Sequence, residues 1–139
     1  MGASCAHFVM TPDFTAALGG MVSYPQFFIW RLTWNPEKGK YDKHPIHHPS
    51  VSYIMDSADP SNWMDYPTAC ARLTEWRALE PSGVFTLGWY LTPDTGYWFL
   101  DLDSVIDAQG NWASKALEWY QRLPGVAFEY SSSARGVHF

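Results

Sequence analysis

Apolar and polar positions along this chain fall into a few short periodic stretches separated by turn-forming residues. "QFFIWRLTW" (26–34) is dense in aromatic and branched side chains and predicts a strand. "NPEKGKYDKHPIHHPS" (35–50), polar with three prolines and a glycine, predicts a loop or hairpin rather than core. A helix is predicted to start near Asp65, with Pro67 in its first turn and Tyr66, Cys70, Leu73 and Trp76 or Arg77 on one face, ending by Pro81 to Gly83. "GVFTLGWYL" and "GYWFLDLD", joined by "TPDT", predict an antiparallel hairpin.

Beyond "DAQG", Asn111 is placed to cap a second helix. Its stripe is Trp112, Ala116, Trp119 and Leu123, and Pro124 and Gly125 stop it. "VAFEYS" and "GVHF" are the last strand pieces. The order strand, helix, hairpin, helix, strand, strand predicts an α+β fold, a largely antiparallel sheet with helices packed on it. Residues 1–25 read as a loosely held leader and residues 26–139 as one domain.

Charge narrows the function classes. Nine Lys and Arg against fourteen Asp and Glu give a net charge of -5, which argues against holding nucleic acid on a broad basic surface. Cys5 and Cys70 have no paired spacing, so neither a disulfide framework nor a thiolate zinc site is indicated. No apolar run is long enough to span a membrane and no secretion signal is seen, so the expected compartment is the cytoplasm. "MGASCA" has Ala6 where the myristoylation pattern wants Ser or Thr.

Candidate chemistry concentrates in "FLDLDS" (99–104). Alternation along a strand sends Asp101 and Asp103 to one face and Leu100 and Leu102 to the other. Residues two apart are about 6.5 to 7 Å apart at Cα, so both carboxylates can lean onto one hard cation such as Mg²⁺ or Mn²⁺. A solvated pair at the end of a strand is the plainer account. A second cluster lies in "FEYSSSARGVHF" (128–139), where Glu129, Ser131 and Ser133 alternate if the strand runs that far, followed by Arg135, Gly136 and His138. Hydroxyls, an arginine and free N–H groups near a glycine suit triphosphate oxygens; an ordinary serine-rich hairpin accounts for the same residues.

Taken in order, four features resemble the primase-polymerase (prim-pol) family of phage and plasmid replication proteins, part of the archaeo-eukaryotic primase superfamily. They are "FFIWRLTW" followed by Lys43 and Pro45 in a Lys-x-Pro element, Trp63 ahead of a helix carrying Ala69, the acidic pair closing "GYWFLDLDS", and "EYSSSARGVH". The resemblance implies an archaeo-eukaryotic primase or RRM-like fold and nucleotidyl transfer directed by a DNA template. It further implies a phage- or plasmid-encoded protein in the host cytoplasm. It makes Asp101 and Asp103 ligands of Mg²⁺ or Mn²⁺, and turns His138, Ser131, Ser133 and Arg135 toward the nucleoside triphosphate. Lys43 is carried over as a further nucleotide contact.

Two departures stand out. Ala134 occupies a position that is usually glycine in the family, and the family's third acidic motif would fall past Phe139. The domain is therefore expected to be incomplete at its C-terminus, as a fragment or as a relative that has lost catalysis. Glu129 is open to two readings, a substitute third ligand or a structural strand residue. The alternative function is a non-catalytic prim-pol-like phage protein that acts by binding, for instance by inhibiting a nucleic-acid-handling complex through a protein partner. A metal-dependent phosphodiesterase or nuclease would use the same carboxylates without explaining the serine-rich segment. His44, His47 and His48 in "KHPIHHPS" lack the partners of a tetrahedral zinc site, and the aromatics of "WRLTW" and "GWYL" suit either a core or base stacking.

Overall fold

A computed structural model describes residues 18–49, 55–131 and 133–139. Cys5, the Met-Gly start and most of the expected leader lie outside the described residues, as does Ser132. Among the described residues the architecture is α+β, with two three-stranded antiparallel sheets and the two helices given below. The described residues group into two compact units, the first within 18–33 and 43–91 and the second within 34–42 and 92–139.

In the first unit, strand β1 (Phe27–Asn35) lies between β2 (Lys40–Ile46) and β3 (Val84–Trp89). Phe27, Phe28 and Ile29 are consecutive and all buried, the mark of a central strand covered on both faces. β3 runs antiparallel to β1 with Phe28 opposite Gly88. A Cβ on Gly88 would come within 2.5 Å of Trp30 Nε1 and 2.7 Å of the Phe28 ring, so glycine there makes room for two aromatic side chains.

Helix α1 (Tyr66–Leu79) starts where Asp65 accepts the Thr68 N–H at 2.8 Å, with Pro67 in the first turn. Its buried stripe is Tyr66, Ala69, Leu73 and Trp76. Cys70, expected on that stripe, is only partly buried, and Ala69 takes the fully buried place. Leu73 and Trp76 meet Ile29, Ile46 and Phe85 in one core cluster, each large side chain contributing roughly 1.5 to 3 kcal/mol. Leu18 and Val22 pack against Phe27, Tyr66 and Ala69, so the described end of the leader belongs to this core.

The polar stretch after β1 resolves as a hairpin. Asn35 Oδ1 accepts the N–H groups of Glu37 and Lys38, Asn35 Nδ2 donates to Asp42 at 2.7 Å, and Gly39 takes the left-handed conformation. These local bonds let β2 form from residues with little strand propensity.

The second unit holds β4 (Asp101–Leu102), helix α2 (Ser114–Arg122), β5 (Glu129–Tyr130) and β6 (Val137–His138). The expected hairpin between "GVFTLGWYL" and "GYWFLDLD" does not form. β3 pairs with β1, while β4 pairs with β6 in the other sheet, whose order is β4-β6-β5. A 3-10 turn at Pro93–Thr95 followed by left-handed Gly96 redirects the chain between them.

α2 is preceded by Ala113 with no side-chain cap. Asn111, expected to cap it, instead closes a turn with Asp107, which accepts Asn111 N–H at 2.8 Å and Nδ2 at 3.0 Å. The expected stripe is met in part: Ala116 is buried and Trp119 lies against a core of Leu102, Val105, Ile106, Val137 and Phe139, while Trp112 and Leu123 pack on the same core from just outside the helix. No described helix is long and apolar enough to cross a membrane.

Candidate nucleotide and metal site

The short sheet of the second unit sorts its residues by face. Leu100, Leu102, Val137 and Phe139 point into the core, so alternation places Phe99, Asp101, Glu129 and His138 on the opposite face. Leu100 and Phe139 exchange both backbone hydrogen bonds, each 2.9 Å, and the next pair, Asp101 opposite His138, falls at a non-hydrogen-bonded position. Opposite Cα atoms there are only about 4.5 Å apart, which brings side chains closest. On the other side of β6, Glu129 is the cross-strand partner of His138.

The imidazole therefore stands between two carboxylates. His138 Nδ1 lies 2.9 Å from Glu129 Oε1 and Nε2 lies 3.5 Å from Asp101 Oδ1. The Phe99 ring leans on the imidazole with centroids 5.0 Å apart. His138 is the sheltered member, its side chain 13% exposed against 47% for Asp101 and 71% for Glu129.

Asp103 lies just past β4, in a turn that continues through left-handed Ser104. Asp101 and Asp103 are exposed and Leu102 between them is buried. Two exposed carboxylates suit a hard cation that keeps water and phosphate oxygens in its shell, the usual manner of Mg²⁺. Among the described residues, no group of three or more His, Cys, Asp or Glu side chains is arranged to hold a metal ion, the histidines of "KHPIHHPS" included.

The serine-rich segment differs from its expected form. β5 stops at Tyr130, and Ser133 sits in the following turn instead of continuing the alternation. Ser131 Oγ accepts the Gly136 N–H at 2.9 Å and lies 3.0 Å from Ser133 Oγ, while Ser131 N–H donates to Gly136 O. The Ser131 and Ser133 hydroxyls thus close the turn on itself. A Cβ on Gly136 would sit 2.8 Å from the Leu102 carbonyl oxygen, so glycine lets β6 approach β4. Ala134 is held in the left-handed region at φ 56°, a conformation that costs a non-glycine residue about 1 kcal/mol. Arg135 is exposed, and its carbonyl accepts the Ile106 N–H at 3.0 Å. Lys43 is exposed on β2, in the first unit.

Sequence reasoning missed two members of this face. Glu129 was read as a structural residue or a spare ligand, yet it is the closest polar partner of His138. Phe99, given no role by the sequence, is exposed beside the imidazole. The signal for both was parity: Phe99 is two residues from Asp101, and Glu129 faces His138 once the turn is placed.

A scan against protein-family models and a search of curated proteins both find no match to this chain.

Proposed function

We propose that this chain is a nucleotidyltransferase domain of the primase-polymerase type. It binds a divalent metal and a nucleoside triphosphate, and works on a DNA template in phage or plasmid replication in the host cytoplasm. One observation carries the reading: the strand bearing Asp101 pairs with the strand bearing His138, with Asp101 directly opposite His138 and Asp103 in the turn that follows. Asp101 and the histidine, far apart in sequence, thereby lie on one sheet face, which supports the prim-pol reading.

Asp101 and Asp103 would hold Mg²⁺ or Mn²⁺, which supplies charge neutralisation at the oxygens of an in-line phosphoryl displacement. The chain's own part is placement. Asp101 is fixed by the β4–β6 ladder, His138 is sheltered beside it, and Arg135 stands exposed on the adjoining turn where a phosphate could be met.

A second reading is favoured by the serine turn. Because Ser131, Ser133 and Gly136 satisfy one another, a non-catalytic prim-pol-like protein that acts by binding a partner fits that segment equally well. Differential melting separates the two. The first reading predicts that MnCl₂ with a deoxynucleoside triphosphate raises the melting temperature of the wild type and not of Asp101→Asn. No shift in the wild type would favour the second.

A further inference from the structure

The resemblance makes His138 a hydrogen-bond donor to phosphate, but its surroundings point elsewhere. A neutral imidazole has one N–H and one lone pair, while carboxylates face both of its nitrogens. The 2.9 Å contact from Nδ1 to Glu129 is a full hydrogen bond, and the 3.5 Å approach of Nε2 to Asp101 lies beyond the usual N–H···O range. In the neutral ring the single proton is better placed on Nδ1, where Glu129 accepts it, and the Nε2 lone pair then faces the Asp101 oxygen. In that state two electron-rich atoms face each other, an arrangement that a second ring proton or a metal cation beside both would relieve.

We infer that Glu129 is a positioning residue that fixes His138 as the Nδ1–H tautomer, so that Nε2, with Asp101, serves as an electron-pair donor to a divalent cation. The inference rests on the proposed reading of Asp101 as a cation-binding group. A carboxylate that accepts the outer N–H of a metal-binding histidine is a common arrangement, and losing it typically lowers metal affinity about 10- to 100-fold. Phe99, leaning on the imidazole, limits the ring's other orientations. A mixed nitrogen and oxygen donor set also predicts that the site prefers Mn²⁺ over Mg²⁺.

Nitrogen-15 NMR of the histidine rings in the full chain, above the histidine titration range and without metal or nucleotide, tests the tautomer. The expected result is a protonated Nδ1 and an unprotonated Nε2 for His138. Glu129→Gln should retain this state, because its amide oxygen can accept, and Glu129→Leu should move the proton to Nε2. An Nε2–H ring in the wild type, or an unchanged tautomer in Glu129→Leu, overturns the inference. Mn²⁺ alone should broaden the His138 ring signals in the wild type and in Glu129→Gln, with about 10- to 100-fold weaker affinity in Glu129→Leu. Equal broadening in wild type and Glu129→Leu, or none in the wild type, contradicts it. A nucleotide-dependent melting shift with an unbroadened His138 would overturn this inference and leave the proposed function standing; the Nδ1–H tautomer and Mn²⁺ broadening without any nucleotide response would do the reverse.

Discussion

Asp101 and His138 face each other across two antiparallel strands, at the kind of ladder position where side chains come closest. Because Asp101 is half-exposed and, among the described residues, its side chain makes the long contact to His138 alone, Asp101→Asn should change folding stability by no more than about 0.5 kcal/mol. Any nucleotidyl transfer should fall at least about 100-fold, since the transferring phosphoryl group would lose its cation clamp. Chemical denaturation beside a primer-extension assay checks both. A large stability loss would mean that Asp101 is a structural residue.

Gly136, just ahead of β6, leaves room beside the Leu102 carbonyl oxygen of β4. Gly136→Ala places a methyl group 2.8 Å from the Leu102 carbonyl oxygen, and the strands must separate. A destabilisation of about 1 to 3 kcal/mol is expected, together with faster amide exchange at Val137 and Phe139. Unchanged stability and exchange would show that the two strands are less closely apposed.

Ala134→Gly should act in the opposite sense. The left-handed conformation at Ala134 suits glycine, so urea denaturation should show a gain of about 0.5 to 1 kcal/mol. The change restores the glycine of the prim-pol pattern.

The start of α1 carries an acid-sensitive contact. Hydrogen bonds from Thr68 hold the Asp65 carboxyl below the ordinary carboxylate range. A group whose pKa is lowered on folding stabilises the folded state above its unfolded value, and that contribution is lost as pH falls through the folded one. Helix stability should therefore decline as pH drops below about 4, and Asp65→Ala should remove that part of the decline while lowering the melting temperature at neutral pH. Melting curves of both proteins from pH 7 to pH 3 give the comparison. An acid limb that is the same in both proteins would contradict the role given to Asp65.

Much of this could be read from the residues. Both helices and the α+β class follow from the three-and-four spacing of Tyr66, Leu73 and Trp76 and of Trp112, Ala116 and Trp119, and α1 begins at the Asp65 signal. What escaped was strand pairing. Alternation in "GYWFLDLD" shows which residues share a face but not which strand lies alongside, and the turn at Pro93–Thr95 with left-handed Gly96 sends Asp101 to His138 instead of back to Trp89. Asn111 misled for a related reason. An asparagine ahead of a helical stripe can cap it or close the preceding turn, and the nearby Asp107 carboxylate decides for the turn. The serine segment was legible in composition only, because a hydroxyl that could meet a phosphate can equally meet the next hydroxyl, as Ser131 and Ser133 do.

Calorimetric titration of a deoxynucleoside triphosphate into the protein with Mn²⁺ present probes the site most directly. Saturable binding near one nucleotide per chain is predicted for the wild type, abolished in Asp101→Asn and retained in Leu79→Ala, which alters an exposed side chain at the end of α1. Equal binding by wild type and Asp101→Asn, or no heat in either, would contradict a nucleotide site on the Asp101–His138 face.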